Sequence, residues 1–178
     1  MKSILRTAAA GLALASFGVA SSASAATDTA DVTAEILSTL TVTADAADDT
    51  LDFGQIADAG LVGPSTVIVD PAGVRNCGAN LTCTGTADAP TFNITGLTGA
   101  HVEVSFPSAT VALTYAGVLP TGMSGTMNVS DFTTSLASNQ TVLAAGLNPF
   151  TIGGTLTVNP LQAPGVYTGA VTVEVLYN

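Results

Sequence analysis

Residues 31–44 read DVTAEILSTLTVTA, and apolar and polar side chains alternate through most of this stretch. Six of the seven apolar side chains lie at even positions, and most odd positions hold Asp, Thr or Glu. These apolar positions are Val32, Ala34, Ile36, Leu40, Val42 and Ala44. A period of two is typical of a β-strand that buries one face, because successive side chains of a strand point to opposite sides. The stretch therefore indicates β-structure rather than helix.

Short alternating stretches recur toward the C-terminus, and turn-forming residues separate them. The further strand candidates are Ser65–Val69, Thr91–Thr95, His101–Phe106, Thr110–Tyr115, Gly125–Phe132, Phe150–Val158 and Val166–Tyr177. Gly and Pro occupy the gaps between them, as turns require. No segment after residue 25 has a helical period of sufficient length. Many short strands at this spacing predict an all-β fold, a pilin-like antiparallel β-sandwich of immunoglobulin-like type in one domain over residues 26–178.

The last strand candidate reaches the end of the sequence. Its apolar side chains change from even to odd positions at Gly169-Ala170. The odd positions that follow are Val171, Val173, Val175 and Tyr177. A change of parity within a strand predicts a bulge or bend at that point. We therefore expect a terminal strand whose buried face carries these four side chains.

Composition excludes several classes of function. The chain has 178 residues, of which 47% are hydrophobic and 9% are charged, and its formal net charge is −10. Such an acidic chain cannot neutralise the phosphates of a nucleic acid, and anionic lipid repels it. We therefore expect no nucleic-acid binding and no stable membrane insertion.

The N-terminus has the pattern of an export signal. Lys2 and Arg6 precede an apolar run over residues 8–20, and small residues follow at 21–25. This pattern predicts a signal peptide over residues 1–25 that is cleaved between Ala25 and Ala26. The alternative is a membrane anchor, which needs about 20 apolar residues. We expect export to the periplasm, the cell surface or the extracellular medium.

The cysteines fit an exported protein. Cys77 and Cys83 are separated by a short, turn-rich connection, which suits a structural disulfide across a hairpin or a loop neck. The alternative is a redox-active pair, but the spacing is not C-x-x-C and the nearest basic residue is Arg75. Beyond residue 25, Arg75 is the sole basic residue against 13 acidic ones. Because lysine is absent there, Schiff-base chemistry is excluded.

Candidate catalytic groups are few. His101 is the one histidine, and alternation places it on one strand face with Glu103 and Ser105. Neighbouring residues on one strand face cannot supply the nucleophile turn and oxyanion hole that a catalytic serine requires. We therefore expect no enzymatic activity, no cofactor and no metal.

Acidic residues cluster between two strand candidates, at Asp45, Asp48, Asp49 and Asp52. We expect this segment to be a solvated loop. Weak calcium binding is the alternative, because hard cations prefer clustered oxygen ligands, although the spacing differs from that of the EF-hand loop.

The two ends of the exported chain suggest an assembly. A sandwich whose last strand ends the chain lacks the strand that would cover its outer edge, and an uncovered edge pairs readily with another segment. Val32, Ala34 and Ile36, within residues 26–36, could supply that segment as the donor strand of a neighbouring subunit. In the alternative, residues 31–44 fold back as the chain's own first strand and close a monomer. The sequence leaves both open.

The two alternatives differ in function. A donor strand predicts a non-enzymatic structural subunit of a bacterial surface or periplasmic assembly, a homo-oligomer or fibre that a periplasmic chaperone accompanies. A closed monomer predicts a secreted binding module for an envelope or glycan ligand. Sugar sites usually present aromatic faces, and this chain has no Trp and 3 Tyr.

The order of several short motifs resembles a secreted proteobacterial family, domain of unknown function 4402. The motifs are Leu51-Asp52-Phe53-Gly54, Thr91-Phe92-Asn93-Ile94-Thr95-Gly96, Leu143-Ala144-Ala145-Gly146, Gly153-Gly154-Thr155-Leu156 and Gly165-Val166-Tyr167-Thr168-Gly169-Ala170-Val171-Thr172-Val173. The resemblance covers Asp31 to Tyr177, and it implies no catalytic residues.

A looser resemblance is to spore coat U-type and archaic chaperone–usher pilins. The shared features are the alternating N-terminal stretch, the LDFG-like turn at residues 51–54 and a terminal G-x-Y-x-x-x-V-x-V strand that begins at Gly165. The resemblance implies that Asp31–Ile36 is a donor strand and that Leu40–Ala44 begins the subunit's own sheet. Those pilins typically carry a Cys where Leu40 lies here.

Overall fold

The structure is a computed structural model, and it describes residues 30–178 as β-strands joined by turns. The strands are β1 (Thr41–Ala44), β2 (Gln55–Asp58), β3 (Ser65–Val69), β4 (Arg75–Cys77), β5 (Leu81–Thr84), β6 (Thr91–Thr95), β7 (His101–Ser105), β8 (Thr110–Tyr115), β9 (Thr126–Thr134), β10 (Gln140–Val142), β11 (Asn148–Val158), β12 (Tyr167–Thr168) and β13 (Glu174–Tyr177). A short 3-10 helix spans Ala137–Asn139. The predicted signal peptide over residues 1–25 and its cleavage between Ala25 and Ala26 lie outside the described residues.

The strands form three sheets. In the main sheet β1, β6, β11, β9, β8 and β12 lie side by side, and β3, which carries β4, joins at β11. A second sheet has the order β10-β7-β13, and β2 pairs with β5 in a third. Every strand pair is antiparallel. The prediction of an all-β fold with antiparallel sheets is confirmed.

β11 is the longest strand, and it organises the main sheet. Its first half pairs with β6 and its second half with β3, while β9 follows its other side. Ile152, Gly153 and Gly154 are all buried at the point where the partner changes. A Cβ at Gly153 would lie 2.8 Å from the backbone carbon of Asp70 and 2.9 Å from the nitrogen of Pro71. Glycine is therefore required there for the close approach of the two chains.

Two hydrophobic cores lie along β11. The first is covered by the β2–β5 pair and contains Phe53, Val67, Val69, Ala89, Val129, Leu156 and Val158. The second lies between the main sheet and the three-stranded sheet and contains Ile94, Val102, Val104, Leu143, Phe150 and Ile152. Since side chains of two sheets share each core, the sheets pack face to face in the manner of a sandwich.

The predicted disulfide is confirmed, but it does not bridge a hairpin. Cys77 is on β4 and Cys83 is on β5, and their Cα atoms are 6.1 Å apart. β4 pairs with β3, whereas β5 pairs with β2. The bond therefore fastens the main sheet to the two-stranded sheet beside the first core.

Replacing both cysteines by alanine is expected to lower the free energy of unfolding by about 2 kcal/mol, because the bond closes a short loop in the unfolded chain. Urea unfolding of the variant and the oxidised wild type measures the difference. Reduction of the wild type should give the same loss. Equal stability of the variant and the oxidised protein would contradict this expectation.

Arg75, on β4, connects two neighbouring segments beside the first core, the loop at Phe53 and the end of β5. Its guanidinium donates to the carbonyl oxygens of Phe53 at 3.0 Å, Thr84 at 2.9 Å and Gly85 at 3.1 Å. Gly54 lies against it with φ +73°, and a Cβ there would overlap the guanidinium. The one basic residue beyond position 25 therefore satisfies backbone acceptors in the fold.

Candidate functional site: the outer edge of the terminal strand

The terminal strand β13 is paired along one edge. β7 is its partner, in a register that sets Glu174 opposite Ser105 and Tyr177 opposite Val102. Within residues 30–178, no strand pairs with the other edge, so β13 ends the order β10-β7-β13. An edge of this kind presents a row of free backbone donors and acceptors to an incoming strand.

The free edge continues into the preceding residues. Residues 169–173 separate β12 from β13, at the position where the change of parity predicts a bend. In the described part of the chain, their backbone makes no hydrogen bond to other backbone groups. A Cβ at Gly169 would lie 2.8 Å from the carbonyl oxygen of Ala112, so the chain passes close to β8 at this point. We call the outer side of residues 169–177 the acceptor edge.

The inner face of the acceptor edge is apolar. Val171, Val173, Val175 and Tyr177 are half-buried and pack against the second core. The side chains between them, at Thr172, Glu174 and Leu176, are exposed. The structure thus brings the four residues predicted for a terminal strand to one face, although it assigns strand only to Glu174–Tyr177.

β1 is also an edge strand, and it lies beside β13. Leu40 and Val42 are half-buried and pack against the same second core as the acceptor edge. Apolar side chains from two sheets therefore line the side of this core. Within the described residues, each of these sheets has an unpaired edge there.

Tyr177 connects the acceptor edge to the start of the folded chain. Its hydroxyl accepts the N–H of Leu97 at 2.9 Å and donates to the carbonyl oxygen of Ser38 at 2.9 Å. A Cβ at Gly96 would lie 2.7 Å from that hydroxyl and 2.8 Å from the Cδ1 of Leu143. Sequence reasoning placed Tyr177 on the terminal strand but gave no sign of this bond to Ser38.

The predicted donor segment is exposed. Residues 30–39 have no strand structure, and Val32 and Ile36 are 93% and 94% exposed. Ala34 is exposed as well. The alternative in which residues 31–44 form the chain's own first strand is not what the structure shows, because strand is confined to Thr41–Ala44 and pairs with β6.

The acidic residues mostly stabilise turns. Asp45 accepts the N–H of Ala47, Asp52 accepts that of Gly54, and Thr91 donates its hydroxyl to Asp48 at 2.7 Å. Among the described residues, no group of three or more His, Cys, Asp or Glu is placed to hold a metal ion. The carboxylates of Asp45 and Asp52 therefore stabilise turns of the backbone at this segment.

His101 lies on the exposed face of β7 with Glu103, while Val102 and Val104 are buried on the other face. Glu174 is exposed on the neighbouring β13. These ionisable side chains lie on a sheet surface rather than in a cleft.

A surface hollow that the sequence did not indicate lies where β7 ends. It has a volume of about 240 Å³ and is lined by Phe106, Ala109, Asp131 and Phe132. The rings of Phe106 and Phe132 stack with centroids 5.2 Å apart. Asp131 has φ +50°, which marks an irregularity in β9 beside the hollow.

Comparison with known proteins identifies one family. A family model described as "Domain of unknown function (DUF4402)" matches residues 39–177. No curated protein and no solved structure matches the chain. In the part of the chain that the structure describes, no helix has the length and hydrophobicity needed to cross a membrane.

Proposed function

We propose that this chain, which belongs to the DUF4402 family, is a non-enzymatic structural subunit of a bacterial surface or periplasmic assembly. Its subunits join when the N-terminal segment of one copy pairs with the acceptor edge of the next, which is donor-strand complementation. The observation that carries the proposal is the combination of an unpaired terminal edge and an exposed alternating segment in the same chain, described over residues 30–178.

The side chains of the two partners are complementary. The acceptor edge presents apolar side chains at every second residue toward the second core. The donor segment offers Val32, Ala34 and Ile36 at the same spacing, with Asp31, Thr33 and Glu35 between them. A paired donor strand would turn its apolar face inward and its charged face to solvent.

Burial of the donor side chains supplies a large part of the association free energy. Full burial of a Val or Ile side chain contributes about 1.5–3 kcal/mol, so Val32 and Ile36 together contribute about 3–6 kcal/mol. Backbone hydrogen bonds to residues 169–177 add about 0.5–1.5 kcal/mol each.

The proposal also concerns export and partners. An uncovered apolar edge is liable to pair nonspecifically before assembly, so a chaperone in the periplasm would protect it. An antiparallel β-sandwich whose terminal strand has an unpaired outer edge within residues 30–178 fits this role. The signal peptide over residues 1–25 would deliver the chain to that compartment.

Removal of the donor segment tests the proposal. The exported chain that begins at Ala26 is expected to form fibres, and the chain that begins at Leu37 is expected to fold but remain monomeric. Size-exclusion chromatography and negative-stain microscopy measure the two states. A matched control begins at Asp31, which removes a polar tail and keeps the alternating residues, and should assemble normally.

Two results would contradict the proposal. One is unchanged fibre formation by the chain that begins at Leu37. The other is a stable soluble monomer of the chain that begins at Ala26, which is the behaviour expected of a secreted binding module.

A further inference from the structure

An apolar patch lies at the end of the main sheet where β11 finishes. Residues 116–124, which join β8 to β9, and residues 159–166, which join β11 to β12, form it. We call it the apolar tip. Its exposed apolar side chains are Val118, Leu119, Met123, Leu161 and Val166. A group of exposed apolar side chains on a folded surface typically marks an interaction site.

Hydrogen bonds hold the two loops of the apolar tip together. The N–H of Ser124 donates to the carbonyl oxygen of Leu161 at 2.8 Å, and that of Ala163 donates to Ser124 at 2.9 Å. The N–H of Ala116 donates to the carbonyl oxygen of Val166 at 3.0 Å. These bonds join the two loops into one surface, and its apolar side chains are exposed.

Leu161 has an unfavourable position in the monomer. Its φ is +62°, a left-handed conformation that costs free energy for a branched side chain, and the side chain is 66% exposed. Asn or Gly would adopt the same backbone conformation at lower cost. Because Leu161 gains little burial in the monomer, its side chain points to a contact outside the monomer.

The opposite end of β11 is also uncharged. Residues 96–100 and 143–147 lie there and contain no Asp, Glu, Lys or Arg, and Leu147 is exposed among them. The two loops of the apolar tip contain none either. The eleven residues of β11 separate the two ends by about 33 Å. Since copies of an acidic chain repel one another elsewhere, uncharged surfaces are where they can approach.

We infer that the apolar tip of one copy docks on the opposite end of a second copy, the end that holds Ser38 and Leu147. This inference rests on the proposed donor-strand assembly and adds a second contact to it. The interface is heterologous, since two different surfaces meet, and a heterologous contact that does not close gives a filament.

The direction of the acceptor edge supports a second copy of the chain as the partner of the apolar tip. The edge runs from the apolar tip, beside Tyr167, to Tyr177, whose hydroxyl holds Ser38 at the opposite end. A donor segment that pairs antiparallel to β13 therefore runs toward the apolar tip. The folded part of the donor's own copy then begins next to the tip. The Ser38 end of that folded part faces the tip. A parallel donor would instead bring two Ser38 ends together.

Substitutions in the exported full-length chain test the inference. Val118→Asp places a charge at a side chain that is 93% exposed, so the monomer should fold normally. Leu161→Asn removes an apolar contact and relaxes the backbone, so the melting temperature of the monomer should stay equal or rise. Each is expected to weaken self-association about tenfold or more in sedimentation analysis. Val74→Asp, at an exposed residue of the β3–β4 turn, is the matched control and should assemble like the wild type.

The outcomes separate this inference from the proposed function. Wild-type self-association of Val118→Asp and Leu161→Asn would overturn the docking of the tip, whatever the donor segment does. Binding of the tip to phosphatidylcholine vesicles, with self-association unchanged, would overturn it too. If Ile36→Asp leaves self-association intact while the tip variants weaken it, the tip contact stands and donor-strand complementation fails.

Discussion

Arg75→Met is expected to lower the free energy of unfolding by about 3 kcal/mol. The arginine donates to the carbonyl oxygens of Phe53, Thr84 and Gly85, and methionine keeps the apolar stem but has no donor. A hydrogen bond to a charged group contributes about 1.5–3 kcal/mol, and an acceptor left without a partner costs about 1–3 kcal/mol. Water can replace the donor at the exposed carbonyls of Thr84 and Gly85, so most of the expected loss comes from the part-buried bond to Phe53.

Urea unfolding with a constant m-value measures this loss. Arg75→Lys keeps the charge but offers a single ammonium in place of a planar fork, so an intermediate stability is expected. Asn76→Ala, at the exposed neighbour on β4, is the matched control and should change stability little. A Met variant as stable as the wild type would show that the three bonds contribute nothing.

The double substitution Val32→Asp and Ile36→Asp is expected to lower the association constant about a thousandfold or more. Loss of two apolar side chains from the interface removes at least about 3 kcal/mol, and burial of carboxylates adds a further cost. A change of about 4 kcal/mol corresponds to a factor of about a thousand. Both residues are almost fully exposed in the monomer, so its melting temperature should not change.

Sedimentation analysis of the exported chain, compared with thermal unfolding of the same variant, measures the two effects separately. Thr33→Asp introduces the same charge on the opposite parity of the donor segment and should leave assembly intact. Val74→Asp provides a second control outside the segment. Donor-strand complementation would be refuted by a double variant that assembles as the wild type does.

The longer strands of this protein were predictable because apolar and polar residues alternate along their sequences. Ser65–Val69, Thr91–Thr95 and Thr110–Tyr115 have the predicted bounds. β9 differs from its predicted bounds by one or two residues at each end, and β11 begins two residues earlier and ends as predicted. Alternation alone fails at residues 31–36, where the period of two is as clear as in β1 but no strand forms. Alternation indicates that a segment can bury one face as a strand. It does not indicate whether another strand is available to pair with it.

The short strands could not be predicted from pattern. β2, β4, β5 and β10 have three or four residues each, too few for a period to be distinguished from chance. β4 and β5 lie on either side of the cysteine loop, whose turn-rich composition predicts a hairpin or a loop neck. Their partners are β3 and β2, because long-range pairing outweighs the local turn.

The candidate site was predictable in its side chains and not in its geometry. The alternation of apolar and polar residues predicts which side chains of the terminal strand face the core. The switch of the apolar residues from even to odd positions predicts the bend at Gly169-Ala170. The bond between Tyr177 and Ser38 joins residues 139 positions apart, and no local pattern carries such a signal. The apolar tip could not be predicted from the sequence either. Its aliphatic residues lie in two loops that are distant in sequence, and the hydrogen bonds that bring these loops together are long-range contacts.

In the proposed fibre, the bond between Tyr177 and Ser38 would have a mechanical consequence under tension. Force from the subunit's own N-terminal segment would enter the folded part near Ser38. Force from the neighbouring donor segment would be taken up along the acceptor edge, which ends at Tyr177. The hydrogen bond of the Tyr177 hydroxyl would couple these two loaded segments directly. Pulling on such a filament would shear the backbone pairing of β13 and leave the disulfide-linked half of each subunit outside the load path.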